Sequence, residues 1–437
     1  MAATATVQLS TWQRIILVAV VLALAFGMVY YYFGVLLPIR SRRFQFPEAT
    51  QGNWSDLYPR WLGARELLLH HRNPYSTGVT HDIQSGFYGR PLDPSRPGDP
   101  TDSEAFAYPV YVVFLLAPLV NLPFALVQTP FTCFLLLITM ASVPQWMEGL
   151  NFSLRPWPFL LTCIAVMSSH AAIDGAHLQQ LTLLVAFFLS ASFAALSRGN
   201  MALAGVLLAL ATIKPQLVIL VVGFLLLWAV SECHSRKWFL IGFVGTMALL
   251  LLASEILLPG WFRFWSQAAA EYARSHKPSA ITTVLGQPLS TITACLGIFL
   301  CCFFFWRGRM RLPGSDRFNI AVIGALVLTE LTIPNAGGGA FYNHILLIPS
   351  AVWLFTRGRE MAGNSLLNSS AWRLAAFALA GQWLLALPVS LAALVLHHTF
   401  QREASLIVGG PELLAFLSPF ALAFFMLSIA RHLYRTA

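Results

Sequence analysis

The sequence predicts an all-α fold, a polytopic transmembrane helical bundle of about twelve spans, on two observations. Of the 437 residues, 57% are hydrophobic and only 10% are Asp, Glu, Lys or Arg, whereas soluble domains carry roughly 25% charged residues. So few charges cannot coat a soluble protein of this length, and disorder requires the opposite composition. The apolar residues also gather in runs close to the roughly 17 to 25 residues that a spanning helix needs.

Twelve apolar runs are candidate spans. In chain order they are 15–37, 123–143, 157–170, 178–197, 200–213, 215–231, 238–258, 285–306, 318–334, 340–356, 373–396 and 411–430. The three shortest, 157–170, 200–213 and 340–356, must thin the bilayer or end in protein-lined cavities. The run 109–121 is too short to span and contains prolines, which predicts an interfacial helix. The whole chain, 1–437, is expected to form one integral membrane domain.

The arginines and lysines predict the side of the membrane on which each loop lies. With the N-terminus in the cytoplasm, the predicted cytoplasmic segments hold 14 basic residues and the short outside segments hold 5. Because basic residues favour cytoplasmic loops, the long polar segment 38–108 is expected to be the first extracytoplasmic loop. The net charge of +9 indicates no nucleic-acid partner, since the basic residues are scattered between apolar runs.

Asp56 is the first candidate for chemistry, because it directly precedes a predicted helix in this loop. Residues 57–71 carry apolar side chains at spacings of three, four and seven, which indicates an amphipathic helix on the outer membrane surface. At this position a carboxylate can cap the helix by accepting a backbone N–H. It can also act as a general base at the lipid boundary, and the pattern leaves both roles open.

Other polar residues lie at the ends of predicted spans or inside them. Lys214, just before a proline, can hold a lipid phosphate as a point charge or simply snorkel to the interface. Glu330 lies inside the span 318–334, and an intramembrane acid is expected to face a partner or a cavity. Asp174 and His177 could share a helix face as metal ligands do, but two residues make no metal site. The six cysteines show no ligand spacing either, so no metal is predicted.

Four stretches carry a resemblance to a known family. They are Ser55-Asp56-Leu57-Tyr58 through Asn73-Pro74-Tyr75; Tyr108-Pro109-Val110-Tyr111 with Leu116-Ala117-Pro118-Leu119; Gln180, Arg198-Gly199, Leu203-Ala204-Gly205 and Lys214-Pro215; and Tyr342-Asn343-His344 with Leu346-Leu347-Ile348-Pro349. Over about residues 50–350 the chain resembles the polytopic glycosyltransferases of the GT-C superfamily. Within it, the chain is most similar to glycosyltransferase family 87, the polyprenyl-phosphate-mannose-dependent mannosyltransferases. It departs from the family's usual Gly-Gln at Gln179-Gln180 and from a usual second proline at Val110.

The resemblance implies a multi-pass enzyme of a bacterial-type cell (inner) membrane, with its active site on the extracytoplasmic side. It would move a sugar, preferably mannose, from a polyprenyl-phosphate donor to a glycolipid or glycan acceptor among the membrane lipids, with inversion. The resemblance implies that Asp56 is the general base and that His344 orients it or contacts the sugar. Lys214, with Arg60 or Arg65, would hold the donor phosphate, so that no metal or other cofactor is obligatory. The further substrate-binding residues would be Gln180, Tyr108, Asn343, His177 and Glu330.

Two other function classes predict different features. A transporter or flippase of a lipid-linked sugar would share the polytopic helices and an intramembrane acid, but it should show inverted repeats and polar residues near the midplane. Neither stands out in this sequence. A membrane acyl or phosphoethanolamine transferase would need a nucleophile or a metal cluster on a sizeable soluble domain, and the chain has no such segment.

Overall fold

The structure is a computed structural model that describes residues 10–41, 55–93, 95–96, 98–100, 102–152, 156–275, 278–334, 340–395 and 408–435. Within these ranges the chain forms helices and no strands, which confirms the predicted all-α class.

The α-helices of the described ranges are, in chain order, α1 Thr11–Tyr30, α2 Leu37–Ser41, α3 Leu57–His70, α4 Thr77–Tyr88, α5 Val112–Leu116, α6 Phe124–Gly149, α7 Pro156–Met167, α8 His170–His177, α9 Thr182–Ser197, α10 Met201–Ala211, α11 Pro215–Ser231, α12 Cys233–Leu257, α13 Trp261–Ser275, α14 Ala280–Leu285, α15 Leu289–Gly308, α16 Asp316–Thr332, α17 Ile348–Trp353, α18 Arg359–Ala362, α19 Leu366–Val395 and α20 Gly410–Arg435. Turns of 3-10 or π type adjoin several of them, at Tyr31–Leu36, Ala117–Leu119, Phe341–Leu347 and Leu354–Gly358.

Six helical segments of the described chain are long and apolar enough to cross a membrane. They are Thr11–Arg40, Phe124–Gly149, Cys233–Leu257, Leu289–Gly308, Leu366–Val395 and Gly410–Ala430. A seventh crossing results if α7 and α8, which meet at a bend of 50°, count as one broken span. Several apolar spans therefore fit a multi-pass membrane protein, as the composition predicts.

The remaining predicted spans coincide with shorter helices. The helices α9, α10 and α11 are apolar but have 16, 11 and 17 residues. At a rise of about 1.5 Å per residue, α10 is only about 16 Å long, roughly half of a bilayer core. The sequence count of about twelve spans is therefore larger than helix length alone supports. Most of α9 is buried by neighbouring helices such as α6 and α10, whereas α10 and α11 are buried on part of their surface only.

Two glycines allow α10 and α12 to pack backbone against backbone. A Cβ atom on Gly205 would lie 2.2 Å from the carbonyl oxygen of Phe239, and one on Gly242 would lie 2.2 Å from the carbonyl oxygen of Ala202. Small residues at such contacts are typical of membrane helices, which associate by close packing and not by a hydrophobic driving force. The contact holds the first half of α10 against α12.

The predicted first loop forms a helical layer, of which residues 42–54 lie outside the described ranges. Helix α3 ends one residue before the predicted boundary, and it is buried on more than its predicted apolar face, because α4 and α5 pack against it. The helix predicted over 109–121 is shorter in the structure, consisting of α5 and the 3-10 turn Ala117–Leu119. Pro118 explains this difference, since proline cannot donate the hydrogen bond that continues an α-helix.

Candidate active site

A polar cavity of about 60 Å³ lies where α3, α9 and α11 begin. The segment before Tyr108, the later part of α13 and the 3-10 turn Phe341–Leu347 close its other sides. Its lining residues are Asp56, Arg60, Asp102, Glu104, Ala105, Gln180, Lys214, Tyr272 and Tyr342. The cavity thus joins segments that are separated by almost 300 positions in the chain.

Asp56 is the residue before the first turn of α3, but its carboxylate does not cap the helix. No backbone N–H of α3 donates to it. The N–H of Leu57 donates instead to the hydroxyl of Ser55 at 3.1 Å. The backbone N–H of Asp56 donates to the carbonyl of Leu178 at 3.0 Å, which ties α3 to the end of α8. Its carboxylate instead accepts a hydrogen bond from the side-chain amide of Gln180. The carboxylate is therefore directed into the cavity.

Lys214 is connected to Asp56 through the same amide. The Lys214 ammonium donates to Oε1 of Gln180 at 2.7 Å and to Oγ1 of Thr182 at 2.8 Å. The Thr182 hydroxyl in turn donates to Oδ1 of Asn343 at 3.0 Å. Lys214 is only 7% exposed, so it does not snorkel to an interface. The Lys214 side chain is thus buried against neutral oxygens next to the cavity.

Aromatic rings surround the two cations of the cavity. The Lys214 ammonium lies 5.5 Å from the ring centre of Tyr108 and 5.3 Å from that of Tyr342, and the Arg60 guanidinium lies 4.9 Å from the Tyr108 ring. Ring faces attract cations through their quadrupole without neutralising them. Tyr108 therefore holds both cations at one side of the cavity while they stay available to an anion.

Arg60 is buried and has unused donors. Its Nε and Nη1 atoms have no hydrogen-bond partner among the described residues. The nearest anion, Oε2 of Glu104, lies 3.8 Å from Nη1, which is too far for a hydrogen bond. Buried polar groups are nearly always satisfied, and guanidinium donors readily form bidentate hydrogen bonds with carboxylate or phosphate oxygens. The geometry therefore indicates that Arg60 can bind an anion in this cavity.

The two cations also act on the carboxylates. Burial raises the pKa of Asp56, while Arg60, Lys214 and the Gln180 hydrogen bond act in the opposite direction and favour its ionised form. Burial raises the pKa of Glu104 well above its ordinary value, and the charges of Asp102 and Asp56 raise it further. The cavity thus holds two acids in different surroundings. Asp56 accepts a hydrogen bond from an amide, whereas the surroundings of Glu104 favour its protonated form.

Six of the ten residues named from the sequence do not line this cavity; Tyr108 and Asn343 lie beside it, and the other four lie elsewhere. Arg65 donates to the carbonyl of Val120 at 2.7 Å, on another side of α3. His177 packs edge-on against aromatic rings of the first helical segment. Glu330 is fully buried in α16, 3.6 Å from Nε2 of His344, and His344 lines a different cavity. The structure therefore brings together Asp56, Arg60, Lys214 and Gln180, with Tyr108 and Asn343 beside them.

The second cavity is apolar and has a volume of about 540 Å³. Helices α1, α7, α17, α19 and α20 form its walls. Phe341, His344 and Ile345 line it, whereas Tyr342, on the same 3-10 turn, lines the polar cavity. The turn Phe341–Leu347 is therefore the partition between the two cavities.

The structure adds residues that the sequence did not single out. Glu104 and Asp102 belong to a loop with eight acids, and no local signal separates these two from the others. Tyr272 lies on an amphipathic helix whose position over the cavity depends on the fold. Thr182 is the first residue of an apolar helix and has no distinguishing sequence feature.

One comparison with known proteins gives a match. The family model described as glycosyltransferase family 87 matches residues 106–334, which is more than half of the chain. The matched region contains Tyr108, Gln180 and Lys214, and Asp56 and Asn343 lie on either side of it. Comparisons with curated proteins and with solved structures find no match.

Proposed function

The chain belongs to glycosyltransferase family 87 and is therefore a glycosyltransferase, and we propose that it transfers mannose from a polyprenyl-phosphate donor to an acceptor hydroxyl with inversion of configuration. The acceptor in this proposal is a glycolipid or a glycan. The enzyme works on the extracytoplasmic side of a bacterial-type inner membrane, as a single domain of GT-C type with about twelve spans.

The observation that carries the proposal is one carboxylate facing two buried cations. Asp56 accepts the proton of the acceptor hydroxyl, whose oxygen forms a bond to the anomeric carbon. The bond between that carbon and the phosphate oxygen breaks, and its electron pair stays on the phosphate. Arg60 and Lys214 stabilise the negative charge that grows there. Because the acceptor attacks from the face opposite the phosphate, a β-linked donor gives an α-linked product.

The residues around the cations have supporting roles in this scheme. Gln180 bonds both Asp56 and Lys214 and so fixes their relative position. The ring of Tyr108 contacts both Arg60 and Lys214. Asn343 acts through Thr182 on the position of Lys214. His344 belongs to the partition turn but lines the apolar cavity, and Glu330 lies next to it in α16, so their proposed contribution is to position Tyr342 and Asn343 and not to touch the sugar.

The apolar cavity supports a lipid-linked donor. It is lined almost wholly by hydrocarbon and lies on the other side of the turn that carries Tyr342. An isoprenoid chain that comes from the bilayer gains close packing in such a site, because lipid and cavity wall are equally apolar and no hydrophobic driving force separates them. We infer that the chain of the donor occupies this cavity while its phosphate reaches the cations.

The test is sugar transfer by purified protein in proteoliposomes with radiolabelled polyprenyl-phosphate-mannose and a lipid extract. Wild type is compared with Asp56→Asn, which keeps the shape and an acceptor for Gln180, and with the control Asp82→Asn. Asp82 lies on α4, outside the cavity, and is half exposed in an ion pair with Arg72. Asp56→Asn should lose about 10²- to 10⁴-fold in kcat, the contribution of a general base. Asp82→Asn should transfer mannose at the wild-type rate.

Two results would contradict the proposal. Equal transfer by Asp56→Asn and Asp82→Asn, with equal thermal stability, would remove Asp56 from the mechanism. Movement of the labelled donor between leaflets without transfer in any variant would instead favour a flippase. Labelled polyprenyl-phosphate-glucose, offered in parallel, tests the preference for mannose.

A further inference from the structure

Glu104 is held in the polar cavity by an uncommon backbone conformation. Its φ angle is +50°, a left-handed conformation that residues other than glycine adopt rarely and at a cost. Its side chain is 13% exposed and lines the cavity opposite Arg60. Such a conformation persists only where the surrounding structure imposes it, and it often marks a functional site.

The flanking contacts impose this conformation. The amide of Gln84 donates to the carbonyl of Ser103 at 3.1 Å, and the hydroxyl of Tyr88 donates to the carbonyl of Asp102 at 2.9 Å. The backbone N–H of Glu104 donates to Oδ1 of Asp102 at 3.0 Å. Helix α4 therefore fixes Asp102 and Ser103, the two residues directly before Glu104, and the Glu104 carboxyl lines the cavity.

The relation of Glu104 to Arg60 is unusual for a structural ion pair. Their closest atoms are 3.8 Å apart, and two donor atoms of the guanidinium stay unused. A pair that existed to neutralise charge would close to hydrogen-bond distance. An oxygen of an anion in the cavity, placed beside this pair, could accept from an unused donor of Arg60 and lie within hydrogen-bond distance of the Glu104 carboxyl.

A phosphate can bind beside both residues only if Glu104 is protonated, because a carboxylate would repel it. Burial and the neighbouring carboxylates raise the pKa of Glu104, and Arg60 opposes them only in part. The charged and titratable groups that face Glu104 come from several elements. They are Asp56 and Arg60 of α3, Tyr88 of α4, Asp102 of its own segment, Lys214 before α11, Tyr272 of α13 and Tyr342 of the partition turn.

We propose that Glu104 is a further substrate-binding residue, whose carboxylic acid donates a hydrogen bond to the donor phosphate that Arg60 also binds. This inference rests on the proposed function. The proton stays on Glu104 throughout, and no atom is transferred. As the bond between sugar and phosphate breaks, the phosphate gains charge, so the hydrogen bond strengthens in the transition state and contributes to kcat.

The experiment compares Glu104→Gln with Glu104→Met. Glutamine keeps a donor and cannot ionise, whereas methionine keeps the length and has no donor. Glu104→Gln should retain transfer close to wild type, and its kcat/KM should no longer fall at high pH, where the wild-type acid loses its proton. Glu104→Met should lose about ten- to a hundredfold in kcat/KM, the worth of one hydrogen bond to a charged group. Glu66→Gln, a buried acid of α3 paired with Arg72 at 2.8 Å, is the control and should match wild type.

Binding of polyprenyl phosphate, followed by the shift in thermal unfolding, provides a readout without turnover. Wild type and Glu104→Gln should bind it alike, and Glu104→Met more weakly. Tight binding without sugar transfer by wild type would defeat the proposed function and leave this inference standing. Equal behaviour of Glu104→Gln and Glu104→Met, or a high-pH fall that persists in Glu104→Gln, would overturn the inference. The pH profile of Glu104→Gln tests the inference even if Glu104→Met does not fold.

Discussion

Gln180 offers the sharpest test of how the cavity limits the rise that burial causes in the pKa of Asp56. Its side-chain amide donates to the Asp56 carboxylate and accepts from the Lys214 ammonium. The hydrogen bond from Gln180 favours the charged form of Asp56 and lowers its pKa, against the effect of burial. Replacing Gln180 by methionine removes this donor and leaves the volume nearly unchanged. The pKa of Asp56 should therefore rise in Gln180→Met.

The expected size of the rise follows from the hydrogen bond that Gln180→Met removes. A hydrogen bond to a charged group contributes about 1.5–3 kcal/mol, and each 1.4 kcal/mol is about tenfold in an equilibrium constant. At pH values where Asp56 is partly protonated, the ionised fraction and kcat/KM should fall by roughly ten- to a hundredfold. The direction of the effect is fixed. A raised pKa of the base moves the acidic limb of the pH profile to higher pH. The deficit should shrink as the pH rises.

The assay is the pH profile of kcat/KM, which reports groups of the free enzyme. The matched control is Gln179→Met, because the Gln179 amide is also buried but bonds only Ser55, Gln128 and Thr132, none of which lines the cavity. This control should lower thermal stability and leave the acidic limb in place. If the acidic limb of Gln180→Met coincides with that of wild type, Asp56 is not the group that titrates there, and the assignment of the base is wrong.

Two further pairs of variants test the geometry. Arg60→Gln should lower kcat/KM by roughly 10²- to 10³-fold, the effect of removing a group that stabilises developing charge. Its control, Arg65→Gln, loses a hydrogen bond to a backbone carbonyl, so it should lower the unfolding temperature and leave transfer near wild type. Equal losses of transfer in the two variants would contradict the site. Gly205→Ala should cost about 1–3 kcal/mol or more in stability, because its Cβ would meet the backbone of α12. Its control, Gly223→Ala, whose Cβ meets nothing within 4 Å, should unfold at the wild-type temperature or slightly above it. Equal midpoints of thermal unfolding for the two variants in detergent would contradict the close approach of α10 and α12.

The fold could be predicted wherever the signal is local. Apolar runs mark the long helices, and the spacing of apolar residues with the Asn73-Pro74 stop places α3 to within one residue. The number of membrane crossings could not be predicted in this way. An apolar run shows that a helix avoids water, but it does not show that the helix crosses the membrane. Helix α10 is as apolar as any span but has only 11 residues, and it is the burial by its neighbours that makes it part of the bundle.

The site could be predicted only in part, for reasons of geometry. Arg60 and Arg65 look equivalent as phosphate ligands in the sequence, but they are five residues apart, which is about 140° around a helix. They therefore point to different sides of α3, and helical periodicity could have separated them. No such rule identifies Glu104, because its place opposite Arg60 is set by contacts of its segment with α4. Its role depends on tertiary structure that no local pattern contains.

The arrangement of helices adds to the preference of the cavity for an anion. Asp56, Leu181 and Lys214 are the residues before the first turns of α3, α9 and α11, so three helix N-termini converge on one space. Each N-terminus carries a partial positive charge of about half an elementary unit, and with Arg60 and Lys214 the field favours a phosphate. The same field opposes protonation of Asp56, which the reaction needs as a base. One set of helix starts therefore supports both halves of the proposed chemistry, leaving-group stabilisation and proton acceptance.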